Sequence, residues 1–576
     1  MHCKVVPSLR RAAAVGYLDR PRRGVTGGDD SMIGRNRRAR ASRLALGTMV
    51  ATLSAGTGAL SPAPGAARAQ EALLDEPVVM AAVQVTHNPD PGRAHSTPQM
   101  ARNPVTGALV IASAEVRTKK TCDIHISVDD GRSWFEGGSP MTQPFTDCSL
   151  QATNGPYITL QFIPDGTLFA GFFASDPKYT TQLNRNDIPR HIFVARSLDS
   201  GRTWSTSMAF EGKEGEPGIG GSRRAQLSVD NNNPQHVYVG WQRGGFSTPA
   251  PGAARKGMIS VSHDGGRNFG PPQELSDARG GGQPRTAVDS KGVVHAVWAA
   301  DTFGAPTGDA APPRPIQYRR SIDQGRTWSA IQEIDPGNVG FSFNRRHLIA
   351  VDPVTDAIYV TWAGNTNPRA RRPPANEPST PAFDDREILF RSSLDGGTTW
   401  SASKTVNDDA ARQNIQHYNP GIAVAPNGRL DIAWYDFRNS PTPEFEGPGG
   451  NAGGMNDVYA ASSYDRGATF SDNIRVTDRI IDRNIGVWSN NAHSQTSVAI
   501  TSSNEATYIA WQDSRNGSAV DNAEDIYFAK VQHAAPAAAG GGDNDVPGWV
   551  VVGASAAVGM GLTVLGALAV SRRRRA

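Results

Sequence analysis

Residues 77–533 of this 576-residue chain are predicted to form an all-β fold, a seven-bladed β-propeller, on three observations. One eight-residue pattern, Ser-x-Asp-x-Gly-x-Thr-Trp with conservative departures, recurs six times at intervals of 70, 65, 59, 72 and 70 residues, the size of a propeller blade. A β-rich run that ends in tryptophan recurs five times, at Trp241, Trp298, Trp362 and Trp434 ahead of a box and at Trp511 in a last unit without one. Glycine (61) and proline (40) supply many turns, while 38% hydrophobic and 20% charged residues exclude both a polytopic membrane protein and a disordered chain.

The boxes begin at Ser127, Ser197, Ser262, Ser321, Ser393 and Ser463. Their aspartates, Asp129, Asp199, Asp264, Asp323, Asp395 and Asp465, are placed to accept hydrogen bonds from the N–H groups of their own turn. The glycine two residues on supplies the positive φ that closes the turn, and the terminal aromatic buries area beneath it. This chemistry builds a hairpin corner and asks for no ligand.

Each unit then reads as inner strand, second strand, third strand, box turn and outer strand. Inner strands are predicted at Gln226–Asp230, Thr286–Asp289, Leu348–Asp352, Gly421–Val424 and Thr496–Ile500. Counting second strands gives seven units, one more than the boxes; six blades is the alternative count. The last unit, His493–Val531, has no box and no fourth strand of its own. Val78–Thr86 is the candidate for the missing strand, because an N-terminal strand paired with the last blade removes an exposed edge.

The two ends address the chain instead of folding it. Residues 1–69 hold 12 Lys/Arg against 3 Asp/Glu and read as an upstream extension followed by a signal peptide, with Met32 as the expected start. Residues 534–545 form an Ala/Gly-rich linker, residues 546–571 carry no charge and are long enough for one transmembrane helix, and residues 572–576 form a basic cytoplasmic tail. The expected location is therefore the cell surface, with the exported chain anchored to the membrane by that C-terminal helix. Between the ends, residues 70–571 hold 42 basic against 52 acidic residues, an acidic balance that argues against nucleic acid as a partner. Export into an oxidising compartment predicts a disulfide between Cys122 and Cys148. No metal or other cofactor is expected, calcium on loop carboxylates being the one alternative.

Geometry ranks the candidate site residues, since inner-strand starts and second-strand ends open on one face of a propeller. The first set comprises His95, Arg223, Arg224, Arg285, Arg345, Arg346, His417, Tyr418 and His493; the second comprises Asp301, Asn365, Asp436 with Arg438, and Asp513 with Arg515. Arginines on neighbouring blades match a ligand carboxylate bidentately, or else pair with Asp301, Asp436 and Asp513 to tie blades together. Asp436 and Asp513 are the acid/base candidates. His417 and His493 read as proton carriers or as hydrogen-bonded packing residues.

The six boxes resemble the Asp-box, or BNR, repeats of sialidase-like propellers, over about residues 77–533. The resemblance implies boxes at the periphery, away from an active face. It also implies a carboxylate clamp of three arginines, a tyrosine nucleophile assisted by glutamate, and an aspartate acid/base. Tyr418 is the tyrosine at an inner-strand start that matches the nucleophile's place. The Arg-Ile-Pro motif that carries the family's first arginine is absent; the corresponding unit reads His95-Ser-Thr-Pro-Gln-Met100. Three functions follow as expectations: a glycan-acting enzyme of the exo-α-sialidase kind, a propeller that binds carbohydrate or protein without turnover, and an endo-acting enzyme with paired carboxylates. A monomer with a glycan or glycoconjugate ligand is expected in the first case.

Overall fold

A computed structural model describes residues 76–118, 121–145, 158–175, 190–213, 225–243, 255–300, 314–337, 347–365, 386–409, 415–441, 454–486 and 498–534. The signal peptide, linker, membrane segment and basic tail expected at the two ends lie outside the described residues, as do Cys148, Arg223, Arg224, Asp301, Arg345, Arg346 and His493. Among the described residues every regular element is a strand, and no helix is long and apolar enough to cross a membrane.

Two short strands open the chain, β1 (Val78–Val79) and β2 (Val83–Gln84). Blade 1 follows as β3 (His95–Arg102), β4 (Leu109–Glu115), β5 (Cys122–Ser127) and β6 (Phe135–Glu136), and blade 2 as β7 (Thr159–Phe162), β8 (Leu168–Ser175), β9 (Arg190–Ser197) and β10 (Ser205–Phe210). Blade 3 is β11 (Gln226–Val229), β12 (Val237–Arg243), β13 (Lys256–Ser262) and β14 (Gln273–Glu274). Blade 4 is β15 (Arg285–Val288), β16 (Val294–Ala299), β17 (Ile316–Ser321) and β18 (Gln332–Asp335). Blade 5 is β19 (Leu348–Val351), β20 (Ile358–Asn365), β21 (Arg386–Ser393) and β22 (Lys404–Thr405). Blade 6 is β23 (His417–Val424), β24 (Leu430–Asp436), β25 (Met455–Ser463) and β26 (Ile474–Arg475), with β27 (Ile481–Asp482) added beside β25. Blade 7 has three strands of its own, β28 (Ala499–Ser502), β29 (Ala506–Asp513) and β30 (Asp525–Gln532).

The seven sheets are antiparallel, and the ring closes as the sequence predicts: β1 and β2 both pair with β30, with Val79 opposite Val531 and Val83 opposite Phe528. Thr86 reinforces the join, its hydroxyl donating to Asp525 at 3.0 Å and accepting from the Ile526 N–H at 3.1 Å. Seven apolar cores lie between successive blades, the last joining Met100, Ile111 and Trp134 of blade 1 to Tyr508, Ile526 and Phe528 of blade 7. The five second-strand tryptophans sit fully buried within these seams. Cys122 is disulfide-bonded and buried in the first of them.

The six box turns share one hydrogen-bonding scheme. In the fourth, Ser321 Oγ donates to Asp323 at 2.7 Å and accepts from the Gly325 N–H at 2.8 Å, while Thr327 gives Asp323 its N–H at 2.9 Å and its hydroxyl at 2.6 Å. These bonds hold the Asp129, Asp264, Asp323, Asp395 and Asp465 carboxyls down at about 2, and lower Asp199 likewise although burial opposes it. The glycine has a second reason beyond its φ. A Cβ on Gly131, Gly397 or Gly467 would enter the ring of Phe528, Tyr318 or Phe390, each on the third strand of the preceding blade. The box aromatics meet those same rings edge to face, Trp134 against Phe528, Trp400 against Tyr318 and Phe470 against Phe390. The boxes therefore lock the seams between blades as well as their own corners.

Candidate functional site

The face opposite the boxes gathers buried ionisable groups, because cross-strand register lines them up there. His417, Asp436 and Asp457 are successive neighbours across β23, β24 and β25. His95 faces Glu115 in blade 1, Asn365 faces Arg386 in blade 5, and Asp513 faces Asp525 in blade 7.

His417 is the centre of the densest group. Its Nδ1 donates to the Arg386 carbonyl at 2.6 Å, and its Nε2 lies 3.0 Å from Asp409 and 3.4 Å from Asp436. Glu387 approaches the other side of the ring at 4.0 Å. Complete burial works against the charged imidazole, yet Asp436, the Asp409 contact and Glu387 outweigh it and raise His417 to about 9. Burial equally opposes the Asp409 carboxylate, and the His417 contact, Asn407 and Arg438 overcome it, holding Asp409 at about 2. The cluster thus sets an imidazolium at His417 against an ionised Asp409 at neutral pH.

Asp409, His417 and Asp436 offer three donor atoms within 4.8 Å of one another, a spacing a metal ion can use. The cation place is already taken, however. Arg438 reaches Asp436 Oδ2 at 2.8 Å and Asp409 Oδ1 at 3.4 Å, the same oxygens that face His417 Nε2. A divalent ion there would face a guanidinium, so the residues fit a protonated histidine better than a metal.

Asp436 and Asp513 are fully buried and held alike. Each accepts from the indole N–H two residues before it, Trp434 at 2.9 Å and Trp511 at 2.8 Å. Each also takes the guanidinium two residues after it, Arg438 or Arg515, at 2.8 Å. Those arginines then cross to an acid that precedes their own blade or sits at the end of its neighbour, Arg438 to Asp408 at 2.6 Å and Arg515 to Asp478 at 2.8 Å. Both stack on a tyrosine, Tyr459 or Tyr527, at 4.3 and 4.1 Å. These contacts are the blade-tying arrangement that the sequence left open beside ligand binding.

Tyr418 is fully buried: Arg386 lies over its ring at 4.0 Å and donates to its hydroxyl at 2.9 Å, with Phe437 edge-on at 5.4 Å. Arg285 begins β15 opposite Val297 and is half-buried. Sequence reasoning passed over Arg386, Glu387 and Asp409, and also the fully buried Arg483–Glu524 pair at 3.5 Å. Burial drives the Arg483 pKa down against the pull of Glu524, and Gln512 donates to the same carboxylate at 2.7 Å. A signal for part of this was present. His95-Ser-Thr-Pro98 and His417-Tyr-Asn-Pro420 share a pattern, and in both the residue before proline has positive φ, Thr97 at 59° and Asn419 at 53°. Such a conformation is costly before proline and for a β-branched residue, and here it coincides with an irregular register in both inner strands.

No protein-family model and no curated protein matches the sequence. Solved structures similar in fold include an α-L-arabinanase of Penicillium chrysogenum with arabinobiose (12% identity, 79% of this chain and 99% of that one, TM-score 0.40). Others are a GH93 α-L-arabinofuranosidase of Fusarium graminearum with arabinobiose (16%, 67% and 98%, 0.41) and a sialidase of Trypanosoma rangeli (14%, 65% and 54%, 0.37). At these values the likenesses carry no weight for activity, and the propeller rests on its own seven sheets.

Proposed function

We propose that the protein acts on glycans through the face on which its inner strands begin, with glycoside hydrolysis of the exo-α-sialidase kind as the first activity to test. The observation that carries this reading is the concentration of buried, strongly coupled ionisable groups on that face in blades 5, 6, 7 and 1, around His417, Asp436, Asp513 and Glu115. Within it His417 is raised and Asp409 lowered by their mutual contact, the kind of perturbed pair that marks a candidate functional face. Recognition of an acidic sugar would draw on Arg285 and on Arg223, Arg224, Arg345, Arg346 and His493. A second reading, glycan binding without turnover, is favoured by the complete burial of Asp436, Asp513 and Tyr418, each already engaged by an arginine.

The two readings separate in one experiment. The protein is assayed on fluorogenic glycosides, a sialoside first, beside Asp436→Asn and Tyr418→Phe, and on a glycan array. Release abolished by either variant while array binding persists supports hydrolysis. Binding without release supports the second reading, and neither binding nor release rejects both. We also propose export and membrane tethering, for which the support is the order of charge and apolar residues at 35–69 and 546–575; flotation of the full chain with vesicles tests it.

A further inference from the structure

The face that carries the boxes has a surface of its own, which the glycan reading does not use. The second position of each box is exposed, and in five of the six it is a large apolar side chain. These are Val128 (65%), Leu198 (77%), Ile322 (76%), Leu394 (60%) and Tyr464 (68%), with His263 as the sixth. Val105 and Val354, at 64% and 63%, project from the turns between inner and second strands at the same end of their blades. Register places them there: Ser463 of the sixth box lies opposite Leu430, at the other end of β24 from Asp436. An exposed arginine stands in five of the six boxes: Arg132, Arg202, Arg326 and Arg466 share a box with Val128, Leu198, Ile322 and Tyr464, Arg267 shares one with His263, and the Leu394 box has none. A single exposed leucine means nothing, but one apolar tip on most blades, four of the five box tips with an arginine in the same box, makes a ring that can meet a flat partner at many points together.

The chain also leaves the propeller at this face. β30 runs from Asp525, level with Asp513, down to Gln532, and His533 then meets the Tyr464 hydroxyl of the sixth box at 3.0 Å. Only residues 534–545 separate that point from the uncharged stretch Val546–Ser571 and its four following arginines. Twelve residues reach about 40 Å at full extension and about 20 Å on average when flexible.

We propose that the box face is a membrane-docking surface, its apolar tips entering the interface of a lipid bilayer and its arginines pairing with headgroup phosphates, so that the glycan face points away from the membrane. Leucine, isoleucine and tyrosine beside arginine is the composition that sits at such an interface. This rests on the tethering reading above, since Val546–Ser571 is what brings the bilayer within reach.

The test uses the full chain mixed with vesicles of phosphatidylglycerol and phosphatidylcholine containing a spin-labelled lipid. An environment-sensitive fluorophore is attached at Leu198→Cys or Ile322→Cys on the box face, or at Val520→Cys, which is 95% exposed between β29 and β30 on the opposite face. Expected is quenching of the two box-face labels by at least about twofold and little at position 520. A triple variant, Leu198→Asp with Ile322→Asp and Leu394→Asp, should keep its far-ultraviolet dichroism and unfolding midpoint while losing quenching of a label at Tyr464→Cys. A chain that does not float removes the tether and this proposal with it. A chain that floats with equal quenching on both faces, or with an unresponsive triple variant, overturns the docking face alone. Loss of quenching together with a dimer by light scattering would assign the ring to contacts between copies and overturn it equally.

Discussion

Deprotonating His417 should destabilise the propeller at mildly alkaline pH, and the size of the effect follows from its surroundings. The imidazole is completely buried and faces Asp409, Asp436 and Glu387, which raise it from 6.5 to about 9. A group raised in the folded state stabilises fully below its unfolded value and loses that contribution as pH climbs through the folded value. The window is therefore 6.5 to about 9, and the stability lost across it is about 3 kcal/mol. Urea unfolding followed by tryptophan fluorescence, at intervals from about pH 6 to about pH 9.5, measures this. His417→Gln is the control, since a neutral amide can still donate to the Arg386 carbonyl and has no charge to lose. The wild-type midpoint should fall across the window and the variant's should stay nearly flat. Equal slopes in the two proteins would refute the reasoning, because the titrating group would then lie elsewhere.

Two further perturbations test the ring. Gly397→Ala should cost about 3 kcal/mol or more, read as a lower urea midpoint, because the residue has φ +83° and its new Cβ would overlap the Tyr318 hydroxyl; a loss of only about 1 kcal/mol, the cost of the positive φ by itself, would mean the box glycine serves its own turn alone. Deleting residues 76–86 should strip β30 of both closing strands and expose its eight-residue edge, giving concentration-dependent association by light scattering; a monodisperse protein of unchanged stability would show that closure does not depend on them.

The fold was legible because its repeat is written in residues with one job each. Ser, Asp and Gly of the boxes can be recognised at a fixed spacing, and Trp241 to Trp511 mark the second strands of five blades. The closing strand was legible too, from a last unit that lacked one. The site was only half legible. His417 and Asp436 could be paired from strand order, since register alone sets them side by side. Asp409 could not, because it lies in the connection between β22 and β23, where no periodicity fixes a position. Arg438 and Arg515 carried the opposite difficulty. A guanidinium at a strand end looks the same in sequence whether it awaits a ligand or closes on Asp436 or Asp513, and only the contact distances distinguish the two.

The near copies Trp434–Asn439 and Trp511–Asn516 turn that distinction into an experiment. Indole to aspartate, aspartate to arginine, arginine to a tyrosine face, and asparagine to that tyrosine's hydroxyl recur in both, with Asn439 at 2.8 Å from Tyr459 and Asn516 at 2.9 Å from Tyr527. Contacts present in both copies belong to the scaffold. What distinguishes the blade 6 copy among the described residues is Asp409, which adds a third carboxylate to Arg438 and meets His417 at 3.0 Å. Asp409→Asn should therefore bring the His417 pKa down from about 9 and move the alkaline stability loss to lower pH, whereas Asp478→Asn, which loosens Arg515 in blade 7, should leave that transition where it is. If both variants shift the transition equally, the histidine responds to the summed charge of the face, and Asp409 does not set the protonation of the blade 6 cluster.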